Sequence, residues 1–107
     1  MTPGVIVVDN TARSDGPVVR LSGEFNHANA HELTEAVMTA RELATETVFL
    51  DAAEVVFVDS SWLKALLLAQ RELARQAKRF RIIAASPTIA RLIEITGLQD
   101  IWPVDQG

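Results

Sequence analysis

A chain of 107 residues, 49% of them hydrophobic, is the size of one folded domain and too apolar for a disordered segment. The absence of cysteine excludes disulfides, thiol catalysis and thiolate metal sites, and no apolar run approaches the roughly 20 residues that span a bilayer. A net charge of −4 argues against general nucleic-acid binding, which needs a basic footprint.

The charge is unevenly placed. Residues 1–59 hold ten acids and three bases, a net of −7, whereas residues 60–107 hold seven bases and four acids, a net of +3. The second half is the one place where an acidic partner or an anionic lipid could dock, against the plainer reading of a solvated helix face. The opening MTPGVIVVDN has neither the basic n-region nor the long h-region of a signal peptide. The cytoplasm is therefore the expected compartment.

In chain order, residues 5–8 (VIVV) read as a short strand, and DNTARSDGP, residues 9–17, is turn chemistry. Residues 18–23 read as a second strand, antiparallel to the first because the link is short. From 28 to 44, Leu33, Val37, Ala40 and Leu43/Ala44 recur at helical spacing, and Asn26 or Asn29 is placed to cap the helix. Residues 47–51 form a continuous apolar run, suited to a strand covered on both faces, and 55–58 make another strand. A helix over 61–77 presents Leu63, Leu66, Leu67, Leu73, Ala74 and Ala77 as an apolar stripe, with Arg75, Lys78 and Arg79 at the end where cations complement the helix dipole. A strand at 80–85 leads into Ser86-Pro87, an N-cap followed by proline at the first helical position. A last helix over 88–96 carries Ile89, Leu92, Ile93 and Ile95 and stops at Gly97, and residues 101–104 are expected to form a short final strand. The alternation of strand and helix after residue 47 implies crossover units and a largely parallel sheet within one domain, 1–107.

Several chemistries lack their residues. His27 and His31 stand four apart without a completed ligand set, so no metal is expected. No GxGxxG, GxxxxGK[ST] or GxSxG pattern occurs, so neither a cofactor nor serine hydrolysis is expected. What remains is the corner VFVDSSWLK, residues 56–64, where a strand ends at Asp59 and a helix begins at Ser60 or Ser61. Parallel sheets present functional groups at such ends. A serine there is a natural N-cap, and it is equally a hydroxyl whose phosphate the helix terminus would stabilise. Trp62 either folds back on the core beside Phe57 or Leu66, or offers an apolar face to a partner.

Asp59-Ser60-Ser61-Trp62-Leu63, the strand at 80–85, Ser86-Pro87 and Thr96-Gly97-Leu98 occur in an order that resembles the STAS domain, and within it the bacterial anti-sigma factor antagonists. Leu21-Ser22-Gly23-Glu24-Phe25-Asn26 is similar to that family's Leu-x-Gly-Glu-Leu-Asp. The resemblance implies an α/β STAS-like single domain, a four- to five-stranded mixed β-sheet with α-helices packed on it. It implies a non-enzymatic protein that binds an anti-sigma factor of serine-kinase type and so frees a sigma factor, is phosphorylated on Ser60, and is restored by a phosphatase. Asp59, Ser61, Trp62, Glu24 and Asn26 become the expected partner-binding residues. The protein is expected to be a monomer or weak dimer, binding neither nucleic acid nor the membrane interior. Two positions depart from the family pattern: Trp62 stands where the family has glycine, and Asn26 where it has aspartate. The alternatives are a non-phosphorylated STAS scaffold subunit of a larger assembly such as a lipid-transport ABC complex or a stress-sensing complex, which Trp62 as a binding hot spot would favour, and a small-ligand or nucleotide-binding STAS module.

Overall fold

The computed structural model describes residues 2–102. The elements run β1 (Val5–Asp9), β2 (Val18–Phe25), α1 (Ala30–Leu43), β3 (Thr47–Val58), α2 (Ser60–Arg75), β4 (Arg79–Ala85) and α3 (Pro87–Thr96). The strands form one sheet in the order β1-β2-β3-β4. β1 and β2 are antiparallel, whereas β2/β3 and β3/β4 are parallel, as the short first link and the later helical crossovers require. This is the expected mixed sheet, with four strands among the described residues. The strand expected at 101–104 is not seen where it can be judged: Ile101 and Trp102 lie in a turn, and Pro103 and Val104 fall outside the described residues.

The core lies on one face of the sheet. Val19, Leu21 and Phe25 of β2, Val48, Leu50, Ala52 and Val55 of β3, and Ile82 of β4 join the buried stripes of all three helices. α1 buries Ala30, Leu33, Val37 and Ala40, a run of three- and four-residue steps that keeps one face inward. The opposite sheet face carries a charged cluster beside apolar residues: Arg20 of β2 pairs with Asp9 of β1 and lies 3.8 Å from Asp51 of β3, next to the exposed Val5 and Val7 of β1. β3 is nevertheless covered on both sides where its sequence is continuously apolar, because the 10–17 loop folds over Phe49. The Arg13 guanidinium sits 4.0 Å from the Phe49 ring centre, and a Cβ on Gly16 would lie 2.2 Å from Thr47 O.

Residues 47–51 and 55–58 are one strand rather than two. Between them Ala52 pairs with β4 and Glu54 with β2, and register shifts against both neighbours absorb the irregularity around Ala53. Asp51 supports it by accepting from the amide of Ala53 at 3.0 Å. Gly23 sits at one of these shifts with φ +87, and a Cβ there would lie 2.0 Å from Pro3 O, so only glycine fits.

The face of α2 differs from expectation. Its buried residues are Trp62, Ala65, Leu66, Ala69 and Leu73, while Leu67 is exposed together with Leu68. Three consecutive leucines span about 200° of a helix at 100° per residue, so they cannot all face inward. Trp62 and the two alanines set the phase. The helix ends with Ala77 in the left-handed region, φ 57, and the Lys78 amide donating to Leu73 O at 2.9 Å, a Schellman arrangement built without glycine. α3 starts and stops as expected: Ser86 Oγ accepts from the Ile89 amide at 3.3 Å, Pro87 is the first helical residue, and Gly97 takes φ 72.

Candidate functional site

Parallel pairing carries β2 and β3 to the same end of the sheet, where Phe25 pairs with Val58 and the Asp59 amide donates to Phe25 O at 3.2 Å. The β2–α1 loop and the β3–α2 corner therefore meet. Asp59 ties them together. One of its carboxylate oxygens accepts from the Ser61 amide at 2.9 Å, and the other accepts from the His27 amide at 3.2 Å. Asp59 is thus the N-cap of α2, the position that sequence reasoning gave to a serine.

That assignment frees Ser60. It is the first residue of α2 and is exposed, and among the described residues its hydroxyl makes no hydrogen bond. The positive end of a 16-residue helix lies at its backbone. Ser61 is half-buried, with its amide committed to Asp59.

Glu24 and Asn26 complete the cluster on the neighbouring strand end. Glu24 is half-buried, stands opposite Phe57 in the β2–β3 register, and accepts from the Thr2 amide at 2.7 Å. Asn26 Oδ1 accepts from the Ala28 amide at 2.8 Å, and the Asn26 amide donates to Asn29 Oδ1 at 2.8 Å. Asn29 also donates from Nδ2 to Glu24 O at 3.0 Å, so neither asparagine caps α1 through its side chain. An aspartate could accept the Ala28 bond equally well. The Asn26 departure therefore removes a charge without altering the loop.

Trp62 requires a correction. It was expected among the partner-binding residues, but it is fully buried in the core formed by all three helices. One residue past Ser61 on a helix turns the side chain inward by about 100°, and the core below has room for an indole where the resembling family has none. Among the described residues its indole N–H finds no acceptor. Sequence reasoning missed two exposed apolar residues near the end of β3, before this corner: Val56 and Phe57 are 57% and 47% exposed. Their signal was strand length. β4 pairs with β3 only as far as Ala52, so the last residues of β3 outrun their neighbour.

Among the described residues no cluster of three metal-ligating side chains occurs, and His27 and His31 are both exposed. No described helix is long and apolar enough to cross a membrane.

A protein-family model described as "Mlab, STAS domain" matches residues 8–103. The chain belongs to the STAS-domain family. Among curated STAS relatives, the anti-sigma-B factor antagonist of Staphylococcus epidermidis is 29% identical over 100 residues, covering 94% of this chain and 93% of its own. An anti-sigma factor antagonist from Mycobacterium paratuberculosis superimposes with a TM-score of 0.81 at 25% identity, over 98% of this chain and 87% of that one. SpoIIAA has the same fold in both of its solved forms. The unphosphorylated anti-sigma factor antagonist gives a TM-score of 0.75 over 95% of this chain and 89% of that one, and the phosphorylated Bacillus protein gives 0.71 over 95% and 92%, each at 24% identity.

Proposed function

We propose that this STAS domain is an anti-sigma factor antagonist: a cytoplasmic binding module, acting as a substrate rather than an enzyme, that sequesters an anti-sigma factor of serine-kinase type and thereby frees a sigma factor. The observation that carries the reading is Ser60, an exposed, unbonded hydroxyl directly after the Asp59 cap at the end of the parallel strands. The names of the similar proteins support the antagonist role.

In this reading the kinase transfers the γ-phosphoryl group of ATP to Ser60 Oγ, with ADP and the hydroxyl proton as the other products. The phosphate adds roughly −1.5 to −2 charges beside Asp59, against a surface matched to the neutral serine. The helix terminus stabilises the new charge within the domain, so the fold persists while the partner is repelled. A phosphatase reverses the step by hydrolysing the phosphate ester. In this reading Glu24 and Asn26, at the neighbouring strand end, with Asp59 and Ser61 beside Ser60 in the chain, are the remaining contact residues. The scaffold alternative drew its support from an exposed Trp62, and the burial of that side chain withdraws it.

The test uses the purified chain and each serine-kinase anti-sigma factor of the same genome. Wild type and Ser60→Ala should bind one kinase tightly, and Ser60→Asp should bind it at least about tenfold more weakly. Equal binding of Ser60→Asp and wild type would remove the switch.

A further inference from the structure

We propose that the outer face of α2 is a docking groove for an acidic, apolar amphipathic helix of the partner. The inference rests on the reading of Ser60 as the switch. Ser60, Lys64, Leu67, Leu68 and Arg71 recur at three- and four-residue steps and are all exposed, so they form one stripe that begins at the phospho-acceptor. Leu67, Leu68 and Ile101 are 39%, 45% and 48% exposed, and together with Ala74 they line a cleft of about 400 Å³. Gln70 lines the same cleft, and its buried Oε1 has no donor among the described residues.

Charge selects the occupant. Among the described residues neither Lys64 nor Arg71, both lining this cleft, forms an ion pair, whereas Arg75 is matched to Glu72 at 3.0 Å on the same helix. A helix with apolar residues at three- and four-residue spacing, flanked by carboxylates, would fill the cleft and neutralise both cations. A second copy related by a twofold axis would place these cations against themselves, which is repulsive. Two cations on a chain of net charge −4 fall short of the about 4–8 clustered basic residues that hold a protein on anionic lipid.

The stripe also links the groove to the switch. Lys64 is four residues from Ser60, the spacing at which side chains on a helix meet. A phosphate on Ser60 therefore draws Lys64 away from the partner's carboxylate and adds negative charge at the mouth of the groove. Neutral Ser60 leaves both cations to the partner.

The probe is a synthetic amphipathic peptide of Leu, Ala and Glu, with a Lys-for-Glu counterpart as control, titrated into the isotope-labelled chain and followed by amide NMR shifts. Shifts should concentrate at 64–74 and Ile101, the Lys peptide should give none, and Lys64→Glu/Arg71→Glu should weaken binding by about tenfold. Leu68→Ser should weaken it as well, and Ser60→Asp should do so at low salt. The proposal is overturned if the Glu peptide does not bind, if the shifts lie elsewhere, or if both peptides bind equally. It is equally overturned if phosphatidylglycerol vesicles bind through this face, or if the chain self-associates and Leu68→Ser abolishes it. The anti-sigma kinase separates this inference from the reading beneath it. Binding that depends on Ser60 but not on Lys64, Leu68 or Arg71 removes the groove and leaves the switch. A chain that binds the Glu peptide through this face but no anti-sigma kinase removes the antagonist reading and retains the groove.

Discussion

Two of the corners where a parallel strand leads into a helix carry a serine, and they use it in opposite ways. At the β4–α3 corner Ser86 is buried and its hydroxyl accepts from the Ile89 amide. At the β3–α2 corner Asp59 takes the capping bond and Ser60 stands exposed and unbonded. A serine committed to a cap is part of the fold, whereas one relieved of it by a neighbouring carboxylate is available for chemistry. The identity of the cap therefore decides which hydroxyl is left exposed.

The sharpest way to stress the β3–α2 corner is from beneath. Trp62→Gly installs the residue of the resembling family but empties the core under α2, and should cost about 3–5 kcal/mol in urea unfolding. A cost near zero would mean that the indole does not support the corner. The capping assignments come next. Asp59→Ala should cost about 1–2 kcal/mol, since it loses the cap and the His27 tie, and Ser86→Ala about 1 kcal/mol. Ser60→Ala should change stability by less than about 0.5 kcal/mol. If Ser60→Ala and Ser86→Ala cost the same, the contrast between the corners is broken. At the far end of α2, Ala77→Gly relieves a left-handed residue and should stabilise by about 1 kcal/mol, raising the melting temperature by a few degrees.

The smallest effect lies away from both corners. The Thr11 amide and then the Arg20 guanidinium hold the Asp9 carboxyl far below the usual carboxylate range. A depressed folded value contributes stability that is present above the unfolded value of about 4 and is lost as pH falls below it. Wild type should therefore exceed Asp9→Asn slightly in melting temperature at neutral pH, and the gap should close on acidification.

Much of this fold was legible because its signals are local. Ser86, Pro87 and Gly97 mark the ends of α3 through backbone chemistry that needs no tertiary context. The β3–α2 corner was legible for a related reason: an apolar strand that stops at Asp-Ser-Ser announces a strand end that leads into a capped helix. The rest depended on packing. Leu66-Leu67-Leu68 leaves the phase of α2 open, and only the burial of Trp62, Ala65 and Ala69 fixes which leucines face out. Asp59 and Ser60 are both good N-caps, and Asp59, which takes the capping bond, is also held by the His27 amide, 32 residues away in the chain. The continuity of β3 through Asp51-Ala52-Ala53-Glu54 depends on register shifts that no local preference encodes.

The central claim is that Ser60, and no other hydroxyl, carries the switch. Its direct test is to incubate the wild-type chain, Ser60→Ala and Ser86→Ala with the anti-sigma kinase and ATP, then map phosphate by mass spectrometry while following the complex by size-exclusion chromatography. A single phosphate on Ser60 in wild type and Ser86→Ala, none in Ser60→Ala, and a complex that persists only in Ser60→Ala is the predicted result. Phosphate on Ser61 or elsewhere, or a phosphorylated chain that stays bound, would contradict it.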